Sequence, residues 1–197
     1  MSSYEDYKKS VLYVNGCMRR DSRTGRLAEA YLNQVYPENQ YRRQEIKVSQ
    51  LELAPMKEED ILRRDQDIAA GRLEGDQYAL AHAFAQADAI VVAAPYWDAS
   101  FPSALKVFFE HICVGGITFA YGPDGRPVKK CKADSLTYLA TSGGYLPERP
   151  SVRAYMEELC GLFSIPHCSF YCAQGLDIHP DQVEQILKDT FTLSCSD

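Results

Sequence analysis

No stretch of this sequence approaches the ~20 consecutive apolar residues of a membrane-spanning helix, so no membrane partner is expected. The opening segment, Met1 to Lys9, is polar and lacks the apolar core of a signal peptide, which points to a cytoplasmic protein. A basic excess is also missing. Lys and Arg number 21 against 27 Asp and Glu, a net charge of -6 with a pI near 5.3. That balance leaves no electrostatic case for nucleic acid or an anionic membrane surface. Cysteine is present seven times, an odd count without paired metal-type spacing. With four histidines and no H-E-x-x-H, no metal site is expected, and the thiols read as reduced. Neither G-x-x-x-x-G-K-[ST] nor G-x-G-x-x-G occurs, which argues against a nucleoside triphosphate and against a dinucleotide loop. Ser142 has no G-x-S-x-G context, so a hydrolase is a poor reading. No repeat, low-complexity tract or linker divides the chain, and residues 1–197 are expected to form one domain.

What is present is an alternation of short buried-type strands with amphipathic helices. Strands are predicted at Ser10–Val14, Tyr41–Leu53, Ala89–Ala94, Ser135–Thr141 and His167–Ala173. Between them lie a helix from Thr24 to the stop at Pro37, and charged, glycine-broken short helices over Lys57–Gly75. Further helices are read at Asp76–Ala87, Ser103–Cys113, Ser151–Phe163 and Asp181–Leu193. Gly115–Lys130 resembles a β-hairpin turning at Pro123-Asp124-Gly125. Five strands alternating with helices imply an α/β fold, a doubly wound parallel sheet with helices on both faces and a hairpin insertion, and the parallel alternation favours a flavodoxin-like strand order.

Three loops follow predicted strands, so all three fall on the carboxyl edge of the sheet, where open α/β folds collect ligands. The first runs from Asn15 to Arg26 and feeds a helix start, with hydroxyls at Ser22 and Thr24 and four arginines near. Free N–H groups and the positive helix end suit a monophosphate. The equal alternative is that Ser22 or Thr24 merely caps a helix and the arginines are solvated. The second loop, Pro95-Tyr96-Trp97-Asp98 through Phe101-Pro102, is stiffened by two prolines and suits a flat ring; otherwise Trp97 and Phe101 simply fill the core. In the third, Thr141-Ser142-Gly143-Gly144-Tyr145, paired glycines allow close backbone approach, or form a plain turn. Together they match FMN, which needs a phosphate loop and two ring loops.

These residues carry a family resemblance. From about Ser10 to about Asp177 the chain resembles the flavodoxin-like NAD(P)H-dependent FMN oxidoreductases, the group containing azoreductases and NAD(P)H:quinone reductases. The carriers are Ser22-x-Thr24-x-x-Leu27, the segment Ala94-Pro95-Tyr96-Trp97-Asp98-x-x-Phe101-Pro102-x-x-Leu105-Lys106, and Gly116-Ile117-Thr118-Phe119-x-Tyr121-Gly122. Ser142-Gly143-Gly144, Gly161-Leu162-Phe163 and Gln174-Gly175 complete them.

The resemblance implies a homodimer with FMN held in each half and NADH or NADPH as electron donor. Ser22 and Thr24 would take the phosphate. Pro95, Tyr96, Trp97 and Asp98 would run beside the ring with main-chain groups toward its polar edge, and Ser142, Gly143 and Gly144 would close its pyrimidine side. Phe101, Phe119 and Tyr121 would line the acceptor pocket, the last two from the hairpin. Independently of the resemblance, Tyr145 is the candidate for a hydroxyl near a quinone, azo or nitroaromatic acceptor, or else an aromatic packed on its loop. Departures from the pattern are Asp98, where azoreductases commonly carry asparagine, and Asn15-Gly16, where relatives usually have serine or histidine. A carboxylate facing the ring would lower the flavin potential, and Arg19-Arg20 would compensate a lost phosphate contact. A flavodoxin-type electron carrier without NAD(P)H turnover is the competing function.

Overall fold

The computed structural model describes residues 9–191. The Met1–Lys9 arm, apart from its last residue, and the end of the predicted closing helix at Leu193 lie outside them.

Each strand of the main sheet is short because it runs only as far as its partner. The strands are β1 (Ser10–Asn15), β2 (Arg42–Lys47), β3 (Ala89–Ala93), β6 (Ser135–Thr141) and β7 (His167–Ala173). They lie parallel in the order β2-β1-β3-β6-β7. This is the doubly wound order with the first strand inside the second. Between β3 and β6 come β4 (Phe119–Tyr121) and β5 (Pro127–Lys129), an antiparallel hairpin outside the sheet. Its turn closes through Gly122 N to Arg126 O at 2.8 Å, with Gly125 at φ 75°, a conformation glycine adopts without a Cβ penalty.

Two corrections to the expected elements have simple causes. The second strand ends at Lys47, not Leu53, because its only partner β1 stops at the paired Asn15; Val48–Gln50 then forms a 3-10 turn. The segment over Lys57–Gly75 is one helix, α2 (Glu58–Ala70), rather than several. Gly71 does not break it but ends it, in the left-handed conformation at φ 67°.

Helices α1 (Arg23–Val35) and α6 (Val183–Asp189) cover one face. Helices α3 (Ala79–Gln86), α4 (Ser103–Ile112) and α5 (Ser151–Phe163) cover the other. Alternation along β6 shows the division: Leu136, Tyr138 and Ala140 enter the α3–α4–α5 core, while Leu139 meets α1. In α1 the buried residues Thr24, Leu27, Ala28, Tyr31 and Leu32 recur at three and four. Central β3, Ala-Ile-Val-Val-Ala, is buried throughout because both of its faces are covered. Among the described residues no helix is long and apolar enough to cross a membrane.

The amino ends of β1 and β3 are tied by Asp88. Its Oδ2 accepts from Ser10 N at 2.8 Å and Ser10 Oγ at 3.0 Å, and its Oδ1 meets Lys132 Nζ at 2.7 Å. Burial alone would raise this carboxyl, but the Lys132 and Ser10 bonds outweigh it and hold it below the ordinary carboxylate range. A depressed folded pKa stabilises the protein above the unfolded value near 4 and loses that contribution as pH falls through the folded one. We therefore expect Asp88→Asn to lower the melting temperature at pH 7 and to flatten its decline between about pH 5 and 3, measured by thermal unfolding across that range.

Candidate functional site

Four loops leave the carboxyl ends of β1, β3, β6 and β7 on the same edge of the sheet. Between them lies a polar cavity of about 500 Å³. Ser22, Thr24, Pro95, Tyr96, Trp97, Ser142 and Gly143 all face it. Asp98 and Phe101 face an adjoining cavity, while Gly144, Tyr145, Phe119 and Tyr121 face neither. Tyr121 is 61% exposed on the hairpin, and Tyr145 points its hydroxyl at His179 Nε2, 2.9 Å away.

One end of the cavity is set by the start of α1. Ser22 is the N-cap: its Oγ accepts from Gly25 N at 3.2 Å. The N–H groups of Arg23 and Thr24 come next in the first turn and have no intrahelical acceptor. These two donors, with the helix dipole behind them, are what the loop offers an anion. The Thr24 hydroxyl itself is turned inward, 2.6 Å from Thr141 Oγ1, and the residue is 1% exposed. It joins α1 to the end of β6, so Thr24 presents backbone to the cavity.

At the other end the backbone donors divide unevenly. Tyr96 N–H is taken by Thr141 O and Trp97 N–H by Ser100 O, both at 2.9 Å. Trp97 to Ser100 forms a two-residue turn closed by both reciprocal bonds, with Asp98 at φ 50° and Ala99 at φ 60°. Both central residues are left-handed, the signature of a type I′ turn, where Asn and Asp are tolerated for the same steric reason. The exchange of asparagine for Asp98 thus keeps the turn, and the N–H groups of Asp98 and Ala99 make no bond within it. In the glycine loop, the carbonyls of Ser142, Gly143 and Gly144 accept from Leu176, Asp177 and Gly175, whereas the N–H groups of Gly143 and Gly144 stay uncommitted.

Several lining residues were not singled out in the sequence. Met18 borders the cavity, as do Leu176 and Asp177 from the β7 loop. Asp177 Oδ1 pairs with Arg23 Nη1 at 2.6 Å, linking the start of α1 to that fourth loop. Gln174-Gly175 was the only sequence signal nearby, and it marks the turn (Gly175, φ 72°) rather than the acid. Arg19 lies over the Trp97 ring at 5.5 Å. Cys17, within the loop between β1 and α1, is buried, and burial pushes its thiol up against a smaller lowering by the Ser22 hydrogen bond. Among the described residues no three His, Cys, Asp or Glu side chains are grouped to hold a metal.

Gly16 explains the departure at the loop start. A Cβ there would lie 3.0 Å from Ala94 Cβ, 3.1 Å from Ala93 O and 3.3 Å from Leu105 Cδ2. The loop lies directly on β3, with Gly16 N donating to Ala93 O at 2.7 Å. Gly16→Ser is expected to destabilise by about 1–3 kcal/mol through overpacking, read as a lower melting temperature.

Fold and cavity together define a doubly wound α/β protein whose open site lies at the carboxyl edge of its sheet. The chain belongs to the family described as flavodoxin-like fold, whose model matches residues 9–191. It is 36% identical over 115 residues to FMN-dependent NADH:quinone oxidoreductase 2 of Clostridium acetobutylicum, a match spanning 56% of this chain and 57% of that relative. With the FMN-dependent NADH:quinone oxidoreductase of Coprothermobacter proteolyticus it shares 28% over 189 residues, 91% of this chain and 92% of the other. The fold is also that of an azoreductase from Bacillus anthracis, with a TM-score of 0.76 at 20% identity, covering 94% and 96% of the two chains. An FMN-dependent NADH-azoreductase from the same organism, solved in complex with FMN, gives a TM-score of 0.74 at 16% identity, covering 94% and 99%.

Proposed function

We propose that this protein is an FMN-dependent NAD(P)H oxidoreductase acting on flat acceptors such as quinones, azo compounds or nitroaromatics. One observation carries the reading: a single 500 Å³ cavity has free backbone donors at a helix start, Arg23 and Thr24, and again at a glycine loop, Gly143. The first pair suits a phosphate and the second the polar edge of a ring. FMN held there by the N–H groups of Arg23, Thr24 and Gly143 would supply two-electron hydride chemistry between NADH or NADPH and the acceptor, in a ping-pong cycle. The chain places and insulates. Pro95 and Tyr96 wall the cavity, Trp97 lies between it and the apolar cavity beside it, and the space a Cβ on Gly143 would take is filled by the Asp177 carboxylate. The names of relatives support FMN, NADH and a quinone acceptor.

We also propose a homodimer. Within one chain Phe119 and Tyr121 reach neither cavity, so their part in an acceptor pocket requires the hairpin of a second copy.

The test is an absorption spectrum of the purified protein, followed by NADH or NADPH without oxygen and then a quinone. Flavin bands that bleach and return are the expected result. Bands that yield only to dithionite would make the protein an electron carrier, and no bands after incubation with FMN would end the flavin reading.

A further inference from the structure

On the β2 side of the loop between β1 and α1 lies a further cavity of about 700 Å³, which the cofactor reading leaves unused. It opens between that loop, the first turns of α1 and the turn Val48–Gln50 that follows β2. Met18, Arg19, Asp21 and Ser22 border both it and the cofactor cavity, so the two adjoin. Asn15 fixes its base: the side chain accepts from Cys17 N at 3.0 Å and donates to Glu45 Oε1 at 2.8 Å. Four cations face it, Arg19, Arg20, Arg26 and Lys47. Arg26 is held by Glu184, and Lys47 meets Glu45 at 3.5 Å. The other two differ. Arg19 lies over the Trp97 ring, and neither Arg19 nor Arg20 has a carboxylate partner among the described residues. Arg20 borders this cavity and not the cofactor's, so an FMN phosphate at the start of α1 leaves it unused.

The remaining walls are of mixed polarity. Ser49 offers a hydroxyl, Gln50 an amide and Glu29 a carboxylate, groups that together can bond the hydroxyls of a sugar. Cations alone would suit a bare anion, whereas cations beside such groups suit a phosphorylated sugar. Position sharpens the reading. In the dinucleotide-binding version of this architecture the ribose is read near the carboxyl end of the second strand, by an acid for a free 2′-hydroxyl or by a cation for a 2′-phosphate. The glycine loop of that version is absent, so the ribose end alone is comparable. Here β2 ends in Lys47 and continues as Val48-Ser49-Gln50, with no acid. We propose that this cavity takes the 2′-phosphorylated ribose of NADPH, with Arg20 as the chief partner of the phosphate, so that NADPH is preferred to NADH. Arg20 is exposed and unpaired, so meeting the phosphate breaks no ion pair, and its planar guanidinium can bond two phosphate oxygens at once. The proposal rests on the protein being a flavin reductase, but binding at this cavity is read without turnover.

The purified protein, its flavin content recorded by absorption, is titrated by calorimetry with adenosine 2′,5′-bisphosphate, with AMP and with inorganic phosphate. The bisphosphate is expected to bind at least about tenfold tighter than AMP, and without displacing FMN. Arg20→Glu should cut that ratio to less than about threefold, and the NADPH-to-NADH ratio of kcat/KM should fall with it. Ser49→Glu, at an exposed position on the β2 side of the cavity, sets a carboxylate against the phosphate and gives a second variant with the same expected result. Equal affinity for the bisphosphate and AMP overturns the proposal. So does an Arg20→Glu protein that binds both nucleotides more weakly but keeps their ratio, because a merely structural role would do that. Inorganic phosphate binding as tightly as the bisphosphate would reduce the cavity to an anion patch, and displacement of FMN would put the 2′-phosphate in the cofactor cavity; either overturns it. A bisphosphate preference that Arg20→Glu abolishes, in protein that cannot take up FMN, would uphold this site and remove the flavin reading instead.

Discussion

Ser22→Asp is expected to leave the fold standing and to weaken FMN binding by a hundredfold or more. Ser22 has two possible duties, and this exchange separates them. As N-cap its Oγ accepts from Gly25 N, and aspartate caps a helix about as well as serine, so α1 should keep its start. A phosphate held by the N–H groups of Arg23 and Thr24 would meet the new carboxylate at close range. Two unit charges about 4 Å apart at an effective dielectric near 20 repel by about 4 kcal/mol, and 1.4 kcal/mol is a factor of ten in affinity. Ser22→Ala provides the contrast: it loses the cap at about 1 kcal/mol of stability and changes FMN affinity only a few-fold. Titration of FMN fluorescence beside thermal unfolding checks both. Unchanged FMN affinity in Ser22→Asp would show that no phosphate sits at the start of α1.

The sheet was legible because its strands carry their own pattern. Ala89–Ala93 is uniformly apolar, as a strand covered on both faces must be, and the loops after β1, β3 and β6 follow from strand direction alone. Strand ends were less legible where a partner sets them. Nothing in Val48 to Leu53 announces that β1 has already stopped at Asn15. The same limit applies to the candidate site. Seven of the residues chosen from sequence do face one cavity, because each lies in the loop or helix start that follows a strand's carboxyl end. The hydrogen bonds that decide which of them has a donor to spare are long-range. Tyr96 N–H is committed to Thr141, and the Thr24 hydroxyl to the same residue, 117 positions away. Asp177 was missed for a related reason: an acid two residues past a glycine turn is ordinary in sequence, and only the fold brings it to Arg23.

Tyr138→Ala should cause the largest loss of stability. The ring is fully buried at the middle of the sheet, stacked on Phe170 with centroids 5.7 Å apart and planes 11° from parallel. Burial raises its phenol, so it remains a neutral donor, and its hydroxyl reaches Ala94 O at 3.4 Å. Truncation leaves a cavity the size of an aromatic ring and should cost about 3–5 kcal/mol. For a chain of this length that is a fall in melting temperature of roughly 10 °C or more. Tyr138→Phe keeps the volume and removes only the hydroxyl, at about 1 kcal/mol. Its effect should fall elsewhere. Ala94 immediately precedes Pro95, and its carbonyl is bonded by Tyr138 at the point where β3 turns into the loop bordering the cavity. Releasing that carbonyl loosens the loop, so Tyr138→Phe should weaken FMN binding more than its small loss of stability would suggest. Thermal unfolding and FMN titration on both variants separate packing from placement. A Tyr138→Phe protein that binds FMN as the wild type does would show that the loop is held by its prolines and by the Tyr96–Thr141 bond alone.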